Sequence, residues 1–269
     1  MTEQAAFDVL AADYDTSFSQ SLTGQAQRLV SRAWLQSFLA GKGRLRILEI
    51  NCGTGEDAIW LASLGHMVIA TDQSAHMIRE ARAKVAPDTS TGSPAFITCG
   101  FETLGSHFND NKFDLVFSNF AGLNCISPVQ LTTLHQQLQQ LLTTDGCIAA
   151  VIFGKYCWWE TCYYLLRADR RNAFRRWTSK PVMARLTDSV AQPVFYYSIR
   201  RFMKSMPLFY LVEKKPIGLF IPPSYMEYSM QKNKRLFGLL VKLEHLIQRV
   251  SFCSTLADHT YLLLKKQTR

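Results

Sequence analysis

Glu49, Asn51, Gly53, Gly55 and Asp72 are the residues whose types and spacing could do chemistry. Gly53 and Gly55 follow the apolar run Ile47–Ile50. They let the backbone turn sharply and approach a ligand without Cβ interference. A helix opening just after Gly55 would aim its free N-terminal amides into that turn. Asp72 closes a second apolar run, Met67–Thr71, and its carboxylate can accept from the vicinal hydroxyls of a ribose. Strand, glycine turn, helix, strand and acid in this order build a nucleotide pocket, so an adenosine-bearing ligand is expected. A dinucleotide fingerprint would carry a third glycine where Ala58 stands, and Glu49 would repel a diphosphate. A carboxylate at that point accepts from an ammonium instead, which favours a cationic amino-acid ligand over a nicotinamide dinucleotide.

The run Glu49-Ile-Asn51-Cys-Gly53-Thr-Gly55 resembles the first motif of the class I S-adenosylmethionine-dependent methyltransferases, with Asn51 in place of its first glycine. Asn tolerates left-handed backbone angles better than most residues, so the turn can survive. Further resemblances lie at Phe7-Asp8…Tyr14-Asp15…Phe18, an N-terminal segment that closes over the cofactor, and at Asp72-Gln73-Ser74-x-x-Met77. Phe113–Phe120 and Asp145–Val151 resemble the family's fourth and fifth strands. The Asp that often meets the adenine amine after the third strand is replaced near Gly100, where backbone at Gly100 and Phe101 can substitute. The resemblance implies S-adenosyl-L-methionine as cofactor, held by Tyr14, Glu49, Asn51, Gly53, Gly55, Asp72, Gln73, Met77, Gly100, Phe101 and Asn119. It also implies an α/β fold, a doubly wound, mostly parallel, seven-stranded Rossmann-like sheet.

The chain's 269 residues suffice for one core with a substantial elaboration. No stretch is long and apolar enough to read as a membrane span, and the first twenty residues show no signal pattern. A cytoplasmic protein is expected. Seven cysteines, at 52, 99, 125, 147, 157, 162 and 253, form neither metal-ligand pairs nor a disulfide framework. No metal is therefore expected. Charge is uneven: residues 1–154 hold 9 Lys/Arg against 14 Asp/Glu, a balance of −5, whereas residues 155–269 hold 21 against 7, a balance of +14.

Strands are expected at 45–50, 67–71, 95–99, 113–118 and 147–153, with helices near 24–40, 56–64, 75–85 and 128–142, and a loop over Ala86–Pro94. Residues 1–154 form an N-terminal cap and cofactor-binding core. Residues 155–225 form an aromatic, basic elaboration after the fifth strand, opening on a long helix from Tyr156. Residues 226–269 supply an inserted helix over about 233–249 and the final strand. By the resemblance, that strand runs antiparallel and pairs Tyr261–Lys265 with Leu208–Val212.

The acceptor is expected against Phe120 and Asn124 and the aromatic residues Trp158, Tyr196, Tyr197 and Tyr225. Their density suggests a small aromatic, polyketide-like or lipid-like molecule. No catalytic residue stands out: Tyr14, Asn119 and Asn124 are poor bases at neutral pH, and His259, at the start of the last strand, is expected away from the chemistry. On one continuous helix Arg167, Arg171 and Arg175 would form a cationic ridge within Arg167–Arg176, a dock for an acidic carrier protein or an anionic membrane surface. Two other functions stay open. An RNA or protein methyltransferase would account for the basic half, although no base-methylating tetrad follows the fourth strand, so nucleic acid is not the expected partner. A non-catalytic cofactor-binding module would account for Asn51 and Gly100.

Overall fold

The computed structural model describes residues 6–85, 92–109, 111–247 and 250–267. Most of the loop expected over Ala86–Pro94 lies outside them. The first half alternates in order: α1 (Leu22–Leu39), β1 (Arg46–Ile50), α2 (Glu56–Ser63), β2 (Met67–Asp72), α3 (Ala75–Ala83), β3 (Ala95–Thr98), α4 (Leu104–His107), β4 (Phe113–Ser118), α5 (Pro128–Leu141) and β5 (Leu142–Phe153). There follow α6 (Trp158–Leu166), α7 (Arg170–Ala173), β6 (Val182–Arg185), β7 (Ala191–Val194), α8 (Ile199–Lys204), β8 (Phe209–Ile217), α9 (Glu227–Lys232), α10 (Lys234–Ile247) and β9 (His259–Lys266).

Seven strands form one sheet in the order β3-β2-β1-β4-β5-β9-β8. The first five are parallel, and β9 runs antiparallel between β5 and β8. Successive residues of a strand face opposite sides, and the core divides accordingly. Ile47, Leu115, Phe117, Ala149 and Val151 pack with α1, α2, α3 and α10. Leu48, Ile50, Val116, Ile148 and Ala150 pack with α4, α5 and α8. Both faces being covered explains why the strands read as unbroken apolar runs. Cofactor chemistry in such sheets lies at the carboxyl ends of the parallel strands, where β1 and β4 diverge.

The second half departs from expectation in three places. The helix after β5 ends at Leu166, because Ala168 takes a left-handed φ of 58° and Asp169 then caps α7 by accepting from the Asn172 amide. The cationic ridge over Arg167–Arg176 therefore does not form: Arg167 and Arg171 are exposed, while Arg175 and Arg176 turn inward onto Glu160. The extended aromatic piece near 192–198 contains β7, which pairs with the unexpected β6 in a separate hairpin. Finally, the antiparallel sense of β9 puts its first residue, His259, opposite Phe153 at the end of β5. That is the ligand-bearing edge, not a place remote from it.

Among the described residues no helix is long and apolar enough to cross a membrane. No group of three or more His, Cys, Asp or Glu among them is placed to hold a metal ion.

Candidate functional site

The β1–α2 turn is built by three left-handed residues, Asn51 (φ 53°), Gly53 (φ 53°) and Gly55 (φ 78°). Asn51 replaces a residue with no side chain by one that bridges two strands. Its amide donates to the Asn119 carbonyl at 3.0 Å and its oxygen accepts from the Ser118 hydroxyl at 2.6 Å, tying the end of β1 to the end of β4. The room comes from Gly122, where a Cβ would lie only 2.1–2.6 Å from Asn51 side-chain atoms. Gly55 faces away from the ligand side; a Cβ there would meet the Phe96 ring at 2.6 Å, so its bareness lets α2 close onto β3. At the end of β2, Asp72 accepts from the Gly53 amide at 2.9 Å and from the Ser74 amide at 2.9 Å. These bonds fix the carboxylate beside the turn while burial pushes its pKa up.

These elements surround a cavity. Tyr14, Glu49, Asn51, Gly53, Asp72, Gln73, Met77, Gly100, Phe101 and Asn119 line it, and Gly55 does not. Of the residues expected to meet the acceptor, only Phe120 lines it. Asn124 is fully buried, accepting from the Phe153 amide and donating to the Phe195 carbonyl. Tyr197 donates to the Ile126 carbonyl inside the core at 2.7 Å. Tyr196 lies under the Arg176 guanidinium, 4.9 Å from its centroid. Trp158 donates to the Leu219 carbonyl, and Tyr225 packs on Tyr163 and Tyr164. These rings fill the elaboration's own interior, which the spacing of aromatics in the sequence could not distinguish from a pocket wall.

The cavity also contains three charged residues absent from the sequence expectations, Arg28, Glu56 and Asp57. Asp57, on α2, is buried against Arg28 and Arg32 of α1, with Arg32 Nε at 2.8 Å. The Asn119 amide donates to the same carboxylate at 2.8 Å. Burial pushes Asp57 up, but the two guanidiniums and this amide outweigh it and hold the carboxyl below its ordinary range. Arg28 and Arg32 stand one helical turn apart, the spacing that presents two side chains to one partner. That spacing is visible in the sequence; its partner, far along the chain, is not.

Two buried polar atoms of the cavity lack partners among the described residues: Glu49 Oε2 and Arg28 Nε. Glu49 is 2% exposed, and burial first, then the neighbouring Asp57 charge, push its pKa well above the ordinary carboxylate value. A buried carboxyl oxygen and a buried guanidinium N–H without partners are costly, even though Arg28 pairs with Asp57 through its other nitrogen. Together they match an α-amino-acid zwitterion, ammonium to Glu49 and carboxylate to Arg28. With Asp72 placed for ribose hydroxyls and Met77 and Phe101 supplying apolar walls for a base, the residues fit S-adenosylmethionine from one end to the other.

Residues 47–146 match the family described as the methyltransferase domain. Over that stretch the chain is similar to the class I S-adenosylmethionine-dependent methyltransferases. Among curated proteins it is 30% identical over 152 residues to the tRNA 5-carboxymethoxyuridine methyltransferase of Escherichia coli (strain K12), covering 56% of this chain and 57% of that one. The match thus spans little more than half the length of the curated relative. Among solved structures, the CcbJ methyltransferase from Streptomyces caelestis shares the fold at a TM-score of 0.64 with 14% identity, over 100% of both chains. A methyltransferase from Methanosarcina mazei does so at 0.60 with 16% identity, over 88% of this chain and 98% of that one.

Proposed function

We propose that the protein transfers a methyl group from S-adenosylmethionine to a small, largely apolar acceptor through an acceptor oxygen that is already anionic at neutral pH. The observation that carries this reading is the character of the cavity wall around Phe120. Tyr14 is buried, and that burial pushes its phenol up to about 12. Cys125, also lining the cavity, is likewise pushed up to about 12 by burial. Both stay protonated at neutral pH and serve as poor bases. His259 stacks on Phe153 at 4.5 Å and meets the edge of Phe120 at 5.8 Å, so the Phe120 ring stands beside it. A carboxylate, or an acidic phenol or enol, needs no base.

The bound sulfonium would supply an activated methyl, and the protein's contribution is then to hold the nucleophile in line within a dry pocket. Phe120 is suited to that task. It holds a left-handed φ of 46°, is followed by Ala121 at 64°, and is packed by Phe18 on its edge and Arg28 over its face. Two consecutive strained non-glycine residues persist only where their surroundings over-determine them. The apolar character of Phe18 and Phe120 supports an aromatic, polyketide-like or lipid-like acceptor.

A second reading, RNA as acceptor, is favoured by the activity of the E. coli relative and by the basic second half. Transfer of labelled methyl into an extract of the source cells separates the two. Label in the organic-soluble fraction supports the small apolar acceptor, and base-labile label there marks a methyl ester. Label confined to RNA overturns it.

A further inference from the structure

The pairing of β8 with β9 and of β9 with β5 brings Ile217, His259 and Phe153 side by side at the ligand-bearing edge of the sheet. Three segments of the second half are anchored to that edge. Glu244, near the end of α10, accepts from the amides of Gly218, Leu219, Phe220 and Ile221, which follow β8 directly. Trp158, opening α6, donates its amide to the Leu256 carbonyl and its indole to the Leu219 carbonyl. The end of α10, residues 250–256 and the start of α6 therefore meet at this edge, and α6 carries Leu166 about 12 Å further along.

These segments are apolar on the outside. Leu246 is 74% exposed, Phe252 77% and Leu166 89%, with Leu256 and Val250 also exposed. On α10, Leu236, Leu239, Leu243 and Leu246 recur at alternating spacings of three and four, a stripe separate from the inward Phe237 and Glu244. Exposed cations flank these side chains: Arg235 and Lys242 on α10, Arg167, Arg170 and Arg171 after α6. Leucines and a phenylalanine bordered by lysine and arginine, on a half of the chain carrying +14, describe a surface for the interface of an anionic bilayer. Exposed Phe174 and Trp177 follow Arg170 and Arg171, but most of the exposed apolar side chains here are aliphatic, whereas an RNA groove stacks bases on aromatic platforms. A second copy would bring like charge against like charge along α10.

We infer that the protein docks on anionic lipid membranes through the rim formed by the end of α10, residues 250–256 and the end of α6, with its ligand-bearing edge toward the lipid. Apolar side chains enter the headgroup boundary, and the flanking cations meet lipid phosphates. The inference needs neither a particular acceptor nor turnover.

Flotation of the purified protein with phosphatidylcholine vesicles, with and without phosphatidylglycerol, tests it. The protein is expected to float with the anionic vesicles only, and to dissociate as salt rises. Leu246→Asn with Phe252→Ser should weaken association by at least about tenfold, ~1.4 kcal/mol, because both side chains lose their apolar burial. Lys242→Glu with Arg171→Glu should abolish it at low salt. Unchanged circular dichroism and S-adenosylhomocysteine affinity certify both double variants as folded. Failure to float with anionic vesicles, or flotation indifferent to both pairs, overturns the inference. So does a result in which the apolar pair splits a dimer or releases RNA while vesicles are ignored. Flotation is read without methyl transfer, so its failure leaves the proposed reaction untouched.

Discussion

Glu49 and Arg28 are two ionisable side chains facing one cavity, each with a buried atom left without a partner. Because the folded protein holds Glu49 protonated above the usual carboxylate range, binding an ammonium must first ionise it. Affinity for S-adenosylhomocysteine should therefore climb as pH rises through that raised pKa, and Glu49→Gln should flatten the climb; calorimetric titration at a series of pH values reads both. The neighbouring couple Asn51 and Gly122 yields a second expectation. Gly122→Ala places a Cβ inside the Asn51 side chain, and overpacking of this kind costs about 1–3 kcal/mol. Asn51→Gly empties that space and restores a glycine to a left-handed position, so the double variant should melt higher than Gly122→Ala alone. Equal melting of the two would mean that the loop after β4 absorbs the clash by moving. Asn51 announced itself in the sequence as a break in a motif. Gly122 did not, because its need for bareness arises only when the ends of β1 and β4 are side by side.

At the scale of elements, Glu244 fastens α10 to the sheet by satisfying four consecutive amides at 2.6–3.3 Å. Losing the carboxylate strands these buried donors, at about 1–3 kcal/mol for each one left without water. Glu244→Leu should accordingly lower the melting temperature by several degrees or more, and Glu244→Gln by less, since one oxygen still accepts. If Glu244→Leu melts like the parent, the four amides have found other partners and the anchor is dispensable. The strands of the core were legible because burial on both faces turns them into continuous apolar runs between glycine turns. The elaboration was not legible for the opposite reason. Its helix stops at a left-handed Ala168, and its inward arginines are chosen jointly by Glu160, on the preceding helix, and by Asp258, which lies far away in sequence. The β6–β7 hairpin turns through Leu186–Val190 without a two-residue glycine turn to mark it.

Across the whole molecule, buried carboxylates pull in two directions with pH. Burial raises Asp258, but His259 and Arg176 more than offset it and leave its folded pKa well below the ordinary value; Asp57 is likewise lowered. A depressed carboxyl contributes stability above its unfolded pKa, which is lost as pH falls through the folded value. Glu49, raised in the folded state, has the opposite sign and costs stability as pH rises above about 4.5, its unfolded range. Thermal melts should therefore fall below about pH 4, and Asp258→Asn should make that fall shallower while lowering stability at neutral pH. Glu49→Gln should gain stability at neutral pH while losing ligand affinity, the trade expected of a site held in an unsatisfied state for its ligand.

The cavity is built to read an amino-acid zwitterion joined to an adenosine, and two ligands compared side by side test this. Titration calorimetry with S-adenosylhomocysteine and with methylthioadenosine, which lacks the amino-acid end, should show the wild-type protein strongly preferring the former. In Glu49→Gln with Arg28→Met that preference should shrink by at least about tenfold, ~1.4 kcal/mol, with methylthioadenosine affinity nearly unchanged. Equal binding of both ligands by the wild type, or a preference that survives the double substitution, would mean that Glu49 and Arg28 do not hold the amino-acid end.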